Sequence, residues 1–202
     1  MQMAHKNSRV AALALACSAA AALGLVLGAS PACRTRATDY TTPQALLSAQ
    51  FHASERVTFH KFHLDPPQRA QAEARLGRAL PKTDYTFFVA LSHGQPDGYA
   101  LFDDQLGQHE PISFATFFDT AGQVTRVEVV AYREPFGDGV RAERFRKQFV
   151  GRSAKSQFRL GTEIDAIAGA TISSRSLCIG VARAAVLLEA ALGALGATLG
   201  IR

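Results

Sequence analysis

The period of the apolar positions changes several times along the chain, and each change marks an element. Pro43 can open a helix in which Ala45, Leu46, Ala49 and Phe51 form a partial apolar face. Val57 to Leu64 alternates and is rich in strand formers, so it reads as a strand. Asp65-Pro-Pro-Gln is a helix start with Asp as cap and Pro in the first turn, and the helix is expected to run from Gln68 to Leu80. Four strands are predicted next: Tyr85 to Leu91, Tyr99 to Phe102, Ile112 to Phe118 and Val124 to Tyr132. They are separated by the breaker-rich stretch His93 to Gly98, an exposed Asp103-Asp104 pair with Gly107 to Pro111 after it, and a hairpin loop at Asp119 to Gln123. Such a run is an antiparallel meander.

Arg141 to Val150 reads as a helix with Phe145 and Phe149 on one face and Gly151 as its stop. Arg152 to Gly161 is a polar connection. A long helix is expected from about Ile172 to Leu192, with Leu177, Val181, Ala184, Ala185 and Leu188 along one face. The segment Gly193 to Ile201 holds too many glycines to extend it firmly. The predicted class is α+β: an antiparallel sheet meander flanked by helices.

The N-terminus adds a separate unit. Residues 1–9 are polar and carry Lys6 and Arg9, and no charge follows from Val10 to Cys33. A positive start followed by an apolar run is the pattern of an export signal. Ser30 and Ala32 suit cleavage before Cys33; an uncleaved anchor and a lipid-modified Cys33 are the other readings. All three place the remainder outside the cytoplasmic membrane, in the periplasm or tethered to the outer face. The expected organisation is therefore signal or anchor over 1–32, tether over 33–42 and one domain over 43–202.

Charge and cysteine content remove several function classes. Of 22 Lys and Arg against 17 Asp and Glu, two basic residues fall within 1–32; the rest of the chain has 20 against 17, a net charge of +3. With no Arg/Lys stripe interleaved with aromatics, nucleic acid is not an expected partner. Cys17 lies in the signal, leaving Cys33 and Cys178, so no haem, zinc or iron–sulfur cysteine pattern exists. Cys178 sits inside a predicted helix and reads as packed rather than bridged to Cys33. His60 and His63 fall on opposite faces of a strand, which argues against a metal site. No acid/base constellation or dinucleotide fingerprint stands out, so no catalytic residue is assigned.

The candidate chemistry lies in Asp165-Ala-Ile-Ala-Gly-Ala-Thr-Ile-Ser-Ser174, a small-residue turn running into the apolar C-terminal helix. Gly169 and Ala170 leave the backbone open to a bulky ligand. Thr171, Ser173 and Ser174 offer hydroxyls where the free amides and dipole of a helix start favour a phosphate. Taken alone, Thr171 or Ser173 reads first as an ordinary helix cap.

The stretch resembles the flavinylation motif of the FMN-binding domain family, whose pattern is roughly Asp-x-x-Ser/Thr-Gly-Ala-Thr-x-Ser/Thr. The family includes subunits of Rnf-type complexes and of the sodium-translocating NADH:quinone reductase, and the sensor domain of NosR-type regulators. Gly107-Gln-His-Glu-Pro-Ile112, Tyr132-Arg-Glu-Pro-Phe-Gly137 and Gln148-Phe-Val-Gly-Arg152 resemble further family pieces in the family's order. Ala168 stands where the family usually has Ser or Thr.

The resemblance implies FMN bound covalently through a phosphoester to Thr171, made from FAD by a separate magnesium-dependent flavin transferase that releases AMP. It implies close approach at Gly169 and Ala170, a turn-holding or recognition role for Asp165, and phosphate contacts from Ser173 and Ser174. Glu134 and the Gly137–Gly139 turn are candidates to lie beside the flavin ring. The expected function is an extracytoplasmic electron-transfer flavoprotein working with membrane or periplasmic redox partner proteins. The alternatives are a flavin-dependent reductase acting directly on a small substrate, and a non-flavinylated sensor or binding module.

Overall fold

The computed structural model describes residues 38–39 and 41–199. The expected signal or anchor over 1–32, together with Cys33, lies outside the described residues, as does the end of the chain beyond Leu199. The elements are β1 (Thr38–Asp39), α1 (Pro43–Gln50), β2 (Arg56–His63), α2 (Pro66–Leu76), β3 (Asp84–Ser92), β4 (Gln95–Leu106), β5 (Pro111–Phe118), β6 (Val124–Tyr132), α3 (Glu143–Arg146) and α4 (Thr171–Leu199). The strands form one sheet in the order β1-β6-β5-β4-β3-β2, with every neighbouring pair antiparallel. The α+β meander predicted from the pattern is the observed architecture. Thr38–Asp39, in the segment expected as a tether, pairs with the end of β6.

Local signals account for most boundaries. Thr42 caps α1, its hydroxyl accepting from the Ala45 amide at 3.2 Å. Asp65 opens α2 with a capping box: its carboxylate accepts from the Gln68 amide, and the Gln68 side chain accepts from the Asp65 amide. Gly77, at φ 64, ends α2 at Leu76 rather than at Leu80. The breaker-rich stretch after β3 is tighter than predicted. His93 and Gly94, at φ 51 and φ 75, make a two-residue turn, and β4 begins at Gln95.

Period-two alternation divides the sheet between two faces. Tyr99 and Leu101 of β4, and Ile112, Phe114 and Phe118 of β5, join α4 and α2 in the main core. Ala100, Ala115 and Phe117 point the other way and pack with Leu46 of α1 in a smaller cluster. The 29 residues of α4 are long and apolar enough to cross a membrane, yet about half of them are buried in the fold, so its apolar length is largely spent on the sheet. The helix continues through the glycine-containing segment as far as Leu199. Cys178 is a free, buried thiol, with its pKa pushed up to about 12 by burial, which makes it an inert packing group.

Two expectations need correction. Arg141 to Val150 is not one helix. A 3-10 turn over Asp138–Arg141, the single turn of α3 and a second 3-10 turn over Lys147–Phe149 share this stretch. The i, i+4 aromatic pair survives the break: Phe145 and Phe149 are both fully buried, with ring centroids 5.5 Å apart edge to face. The Asp103-Asp104 pair is not uniformly exposed either. Asp104 faces solvent, but Asp103 is on the α4 face, 6% exposed, and Arg183 of α4 is 4% exposed opposite it. Arg183 Nε donates to Asp103 Oδ2 at 2.9 Å, its other nitrogens reach Gln105 Oε1 and the Asp104 carbonyl, and Lys82 Nζ lies 2.8 Å from Asp103 Oδ1. An aspartate on the core face of a strand looks solvated in sequence because its partner is 80 residues away.

Arg183→Met should lower the unfolding free energy by about 3 kcal/mol, because it strips a buried carboxylate of its main partner. Urea denaturation followed by circular dichroism measures the loss; a change under about 0.5 kcal/mol would mean that Lys82 alone compensates Asp103.

Candidate functional site

The turn before α4 is held from behind by side chains of preceding segments. Gln148 Oε1 accepts from the Asp165 amide at 2.7 Å, and Gln148 Nε2 donates to the Asp165 carbonyl at 3.4 Å. Arg152 collects the carbonyls of Gln148, Gln157 and Glu163 in one guanidinium fork. Ile167 packs so closely on Gly139 that an added Cβ there would sit 2.9 Å from Ile167 Cγ2. The Ser174 hydroxyl, fully buried, accepts from the Ile167 amide at 3.4 Å.

The chain then reverses through Gly169, at φ 77, where an added Cβ would meet nothing within 4 Å. A left-handed backbone with open space in front of it favours glycine and leaves room for a ligand. The Ala170 amide closes the turn on the Ile167 carbonyl, and the Ala170 carbonyl accepts the first helical bond, from the Ser174 amide. Ala170 therefore occupies the cap position and has no side-chain oxygen to cap with. The amides of Thr171, Ile172 and Ser173 precede the first rung of the helical ladder.

Three hydroxyls lie within four residues here, and their environments differ. Ser174 Oγ is committed to the turn. Ser173 Oγ, 2% exposed, is 2.7 Å from the Tyr132 hydroxyl. Tyr132 also bonds the Phe136 carbonyl, which can only accept, so the Tyr132 proton points there and Ser173 supplies the other. Burial raises the Tyr132 pKa, so this hydroxyl keeps its proton. Thr171 alone of the three is exposed.

Thr171 opens on a pocket of about 250 Å³. Gly169, Ala170, Thr171 and Ser173, from the turn and first turn of α4, line it together with Glu134 and Gly137 from the segment after β6. These include five of the seven site residues expected from sequence. Asp165 and Ser174 do not line the pocket: the Asp165 side chain is exposed, with its backbone clamped by Gln148, and Ser174 braces the turn from inside. Gln108, Phe136 and Ile172 complete the lining and were not anticipated. Phe136 carried a signal that could have been read. A phenylalanine between Pro135 and Gly137 in a polar turn has little core to reach, and it is 81% exposed.

Glu134 has a definite structural task. Its Oε1 accepts from the amides of His109 and Glu110, at 2.6 and 3.1 Å, and so fixes the Gly107–Glu110 turn at the pocket rim. A Cβ at Gly107 would lie 2.8 Å from the same oxygen, so a larger residue there would displace the carboxylate from its amides. Burial works to raise the Glu134 pKa, but the amides of His109, Glu110 and Gln108 outweigh it and hold the carboxyl below its ordinary value.

A larger groove, of about 650 Å³, lies against β6 and α3. Its charged groups are already paired, Arg126 and Arg146 with Glu128 and Lys147 with Glu143, and it does not include the Thr171 turn. His60 and His63 are also committed, to the Thr58 hydroxyl and to Asp84 respectively.

The model of the FMN-binding domain family matches residues 107–186. This part of the chain is similar to FMN-binding domains of that family. The matched region begins at the turn fixed by Glu134 and contains every pocket-lining residue. Among solved structures, NqrC from Shewanella oneidensis is similar in fold, with a TM-score of 0.53 at 16% identity over 74% of this chain and 87% of that one. No curated protein matches the chain.

The scaffold around the pocket can be tested at two positions. Gly137 sits at φ 94, and an added Cβ would lie 2.5 Å from both Ser173 Oγ and Tyr132 Oη. Gly137→Ala should therefore cost about 3 kcal/mol, by strain and by parting Tyr132 from Ser173; thermal unfolding measures it. For Glu134 the folded pKa lies below the unfolded one. Its contribution is therefore present above the unfolded value of about 4.3 and lost as pH falls through the folded value. Urea midpoints of the wild type and Glu134→Gln should differ at neutral pH and converge in acid. A gap of equal size at both would show that the carboxylate charge is not its source.

Proposed function

We propose that this protein is an electron-transfer flavoprotein of the extracytoplasmic space that carries FMN covalently through a phosphoester to Thr171. The observation that carries the reading is the start of α4. Thr171 is an exposed hydroxyl beside three amides that precede the helical ladder, in a pocket whose wall at Gly169 has no side chain.

The residues present fit FMN. A phosphate suits the amides of 171–173 and the positive end of a helix of 29 residues. Ser173 and Ser174, spent on Tyr132 and on the turn, leave Thr171 as the acceptor. The attachment forms a bond from Thr171 Oγ to the flavin-side phosphorus of FAD and breaks the pyrophosphate bond. AMP departs with the bridging oxygen, and the threonine proton passes to the transferase or to solvent. Thr171 acts once, in maturation, and takes no part in turnover.

Bound flavin supplies one- and two-electron redox chemistry. The chain's own part is to hold the phosphate end, to set the turn's backbone through Gln148, Arg152 and Ser174, and to leave the other end accessible to a partner protein. An exported location agrees with the charge-free run from Val10 to Cys33, and a covalent cofactor suits a compartment with no assured supply of free FMN.

Protein exported from a host with the flavin transferase should gain the mass of FMN less one water, on the peptide containing Thr171. Thr171→Ala should lose that mass and keep its circular dichroism. Covalent flavin persisting in Thr171→Ala would overturn the assignment.

A further inference from the structure

Phe136 is the least explained side chain of the domain. It is 81% exposed, the most open of the large apolar residues among the described residues, and it lines the small pocket that holds Thr171. Its backbone, by contrast, is fixed on both sides. Pro135 precedes it with a locked φ, and its carbonyl accepts from the buried Tyr132 hydroxyl. Gly137 follows in a left-handed conformation with no room for a Cβ. A mobile loop tip would account for an exposed phenyl ring; a backbone held by a buried tyrosine does not. Ile172, half exposed on the first turn of α4, presents a second apolar side chain to the same pocket. Two elements thus place unpartnered apolar surface beside an exposed hydroxyl and free amides. The same pocket offers groups fit for an anion and apolar surface fit for a flat body.

Resting on the FMN reading above, we propose that Phe136 is the stacking platform for the isoalloxazine ring, with Ile172 as its apolar neighbour. Phe136 is then a positioning residue. It holds the ring at the mouth of the pocket, covers one of its faces and restricts its motion on the phosphate tether, while the phosphate end is fixed independently by α4. A planar heteroaromatic ring on a phenyl ring gains by offset stacking, and both surfaces leave water in the process. Because the phenyl ring is so exposed, removing it should leave the fold and the attachment step intact, which separates this role from a structural one.

The test uses flavinylated full-length protein, with intact mass confirming that each sample carries FMN. In Phe136→Ala the mass gain should persist, iodide quenching of flavin emission should increase severalfold, and emission anisotropy should fall. In Phe136→Trp an indole in contact with the flavin should quench most of the emission by electron transfer, while Phe136→Tyr should keep the wild-type iodide accessibility. Unchanged iodide access in Phe136→Ala together with full emission in Phe136→Trp would overturn the proposal. If the wild type carries no covalent FMN, the attachment reading fails by mass, and the platform is tested separately by titrating free FMN. Quenching on binding to Phe136→Trp, beyond that with the wild type, supports stacking; identical emission from the two bound forms refutes it.

Discussion

Ser173, Ser176, Gly180 and Arg183 follow one another at spacings of three, four and three, so they form a single stripe down α4. Each meets the sheet by a different contact. Ser173 bonds Tyr132 at the end of β6, and Ser176 donates to the Leu106 carbonyl at the end of β4, at 2.7 Å. Gly180 lets the ring of Phe114 approach to where its own Cβ would lie 2.5 Å away. Arg183 enters the core to pair with Asp103. Apolar packing alone would leave α4 free to slide or rotate by small amounts over a greasy sheet, since the hydrophobic effect is not directional. The four contacts on this stripe are directional or steric, and together they fix rotation and translation. The pocket depends on that fixing, because part of its lining is the first turn of α4 and part comes from the segment after β6 and the β4–β5 turn.

Why the meander and its helices were legible follows from the same physics. The alternation from Val57 to Leu64 and, imperfectly, in β6, and the helix-start residues Pro43 and Asp65, act locally, and local signals survive in sequence. The stripe on α4 did not, because serine, glycine and arginine read as a solvated face until their partners are known. The apolar stripe Leu177, Val181, Ala184, Ala185 and Leu188 was correctly read as buried, yet α4 is buried more broadly than one stripe. Asp103 was misread for the complementary reason. The same limit applies at Arg141 to Val150, where the Phe145–Phe149 spacing favours a helix but packing requires only the aromatic pair, and the backbone is free to tighten into 3-10 turns around it.

The candidate site was legible where the signal is backbone chemistry and illegible where it is a cross-chain contact. Gly169, Ala170 and Thr171 announce an open turn and a helix start in their own sequence. Glu134 was expected beside a ligand and does line the pocket; what its own sequence did not show is that its carboxylate gathers loop amides and positions Gln108 at the rim. Tyr132 gave no sign of its role, because the hydroxyl and carbonyl it joins, of Ser173 and Phe136, come from two separate segments that line the pocket, 41 and four residues away. A buried tyrosine bonded to both segments ties them together without entering the pocket itself.

That division of labour bears on the one departure from the motif, Ala168 in place of Ser or Thr. Ala168 is exposed, and the contacts that shape the turn pass it by. Gln148 holds Asp165, Ser174 holds Ile167, the Ile167 carbonyl accepts from the Ala170 amide, and Ile167 packs on Gly139. A hydroxyl at 168 would add one polar group on the outside of a turn whose geometry is already over-determined from within. The groups expected to meet a phosphate are backbone amides of α4, which no substitution at 168 removes. If Thr171 is flavinylated as proposed, what position 168 can alter is the surface offered to the modifying enzyme rather than the shape of the turn.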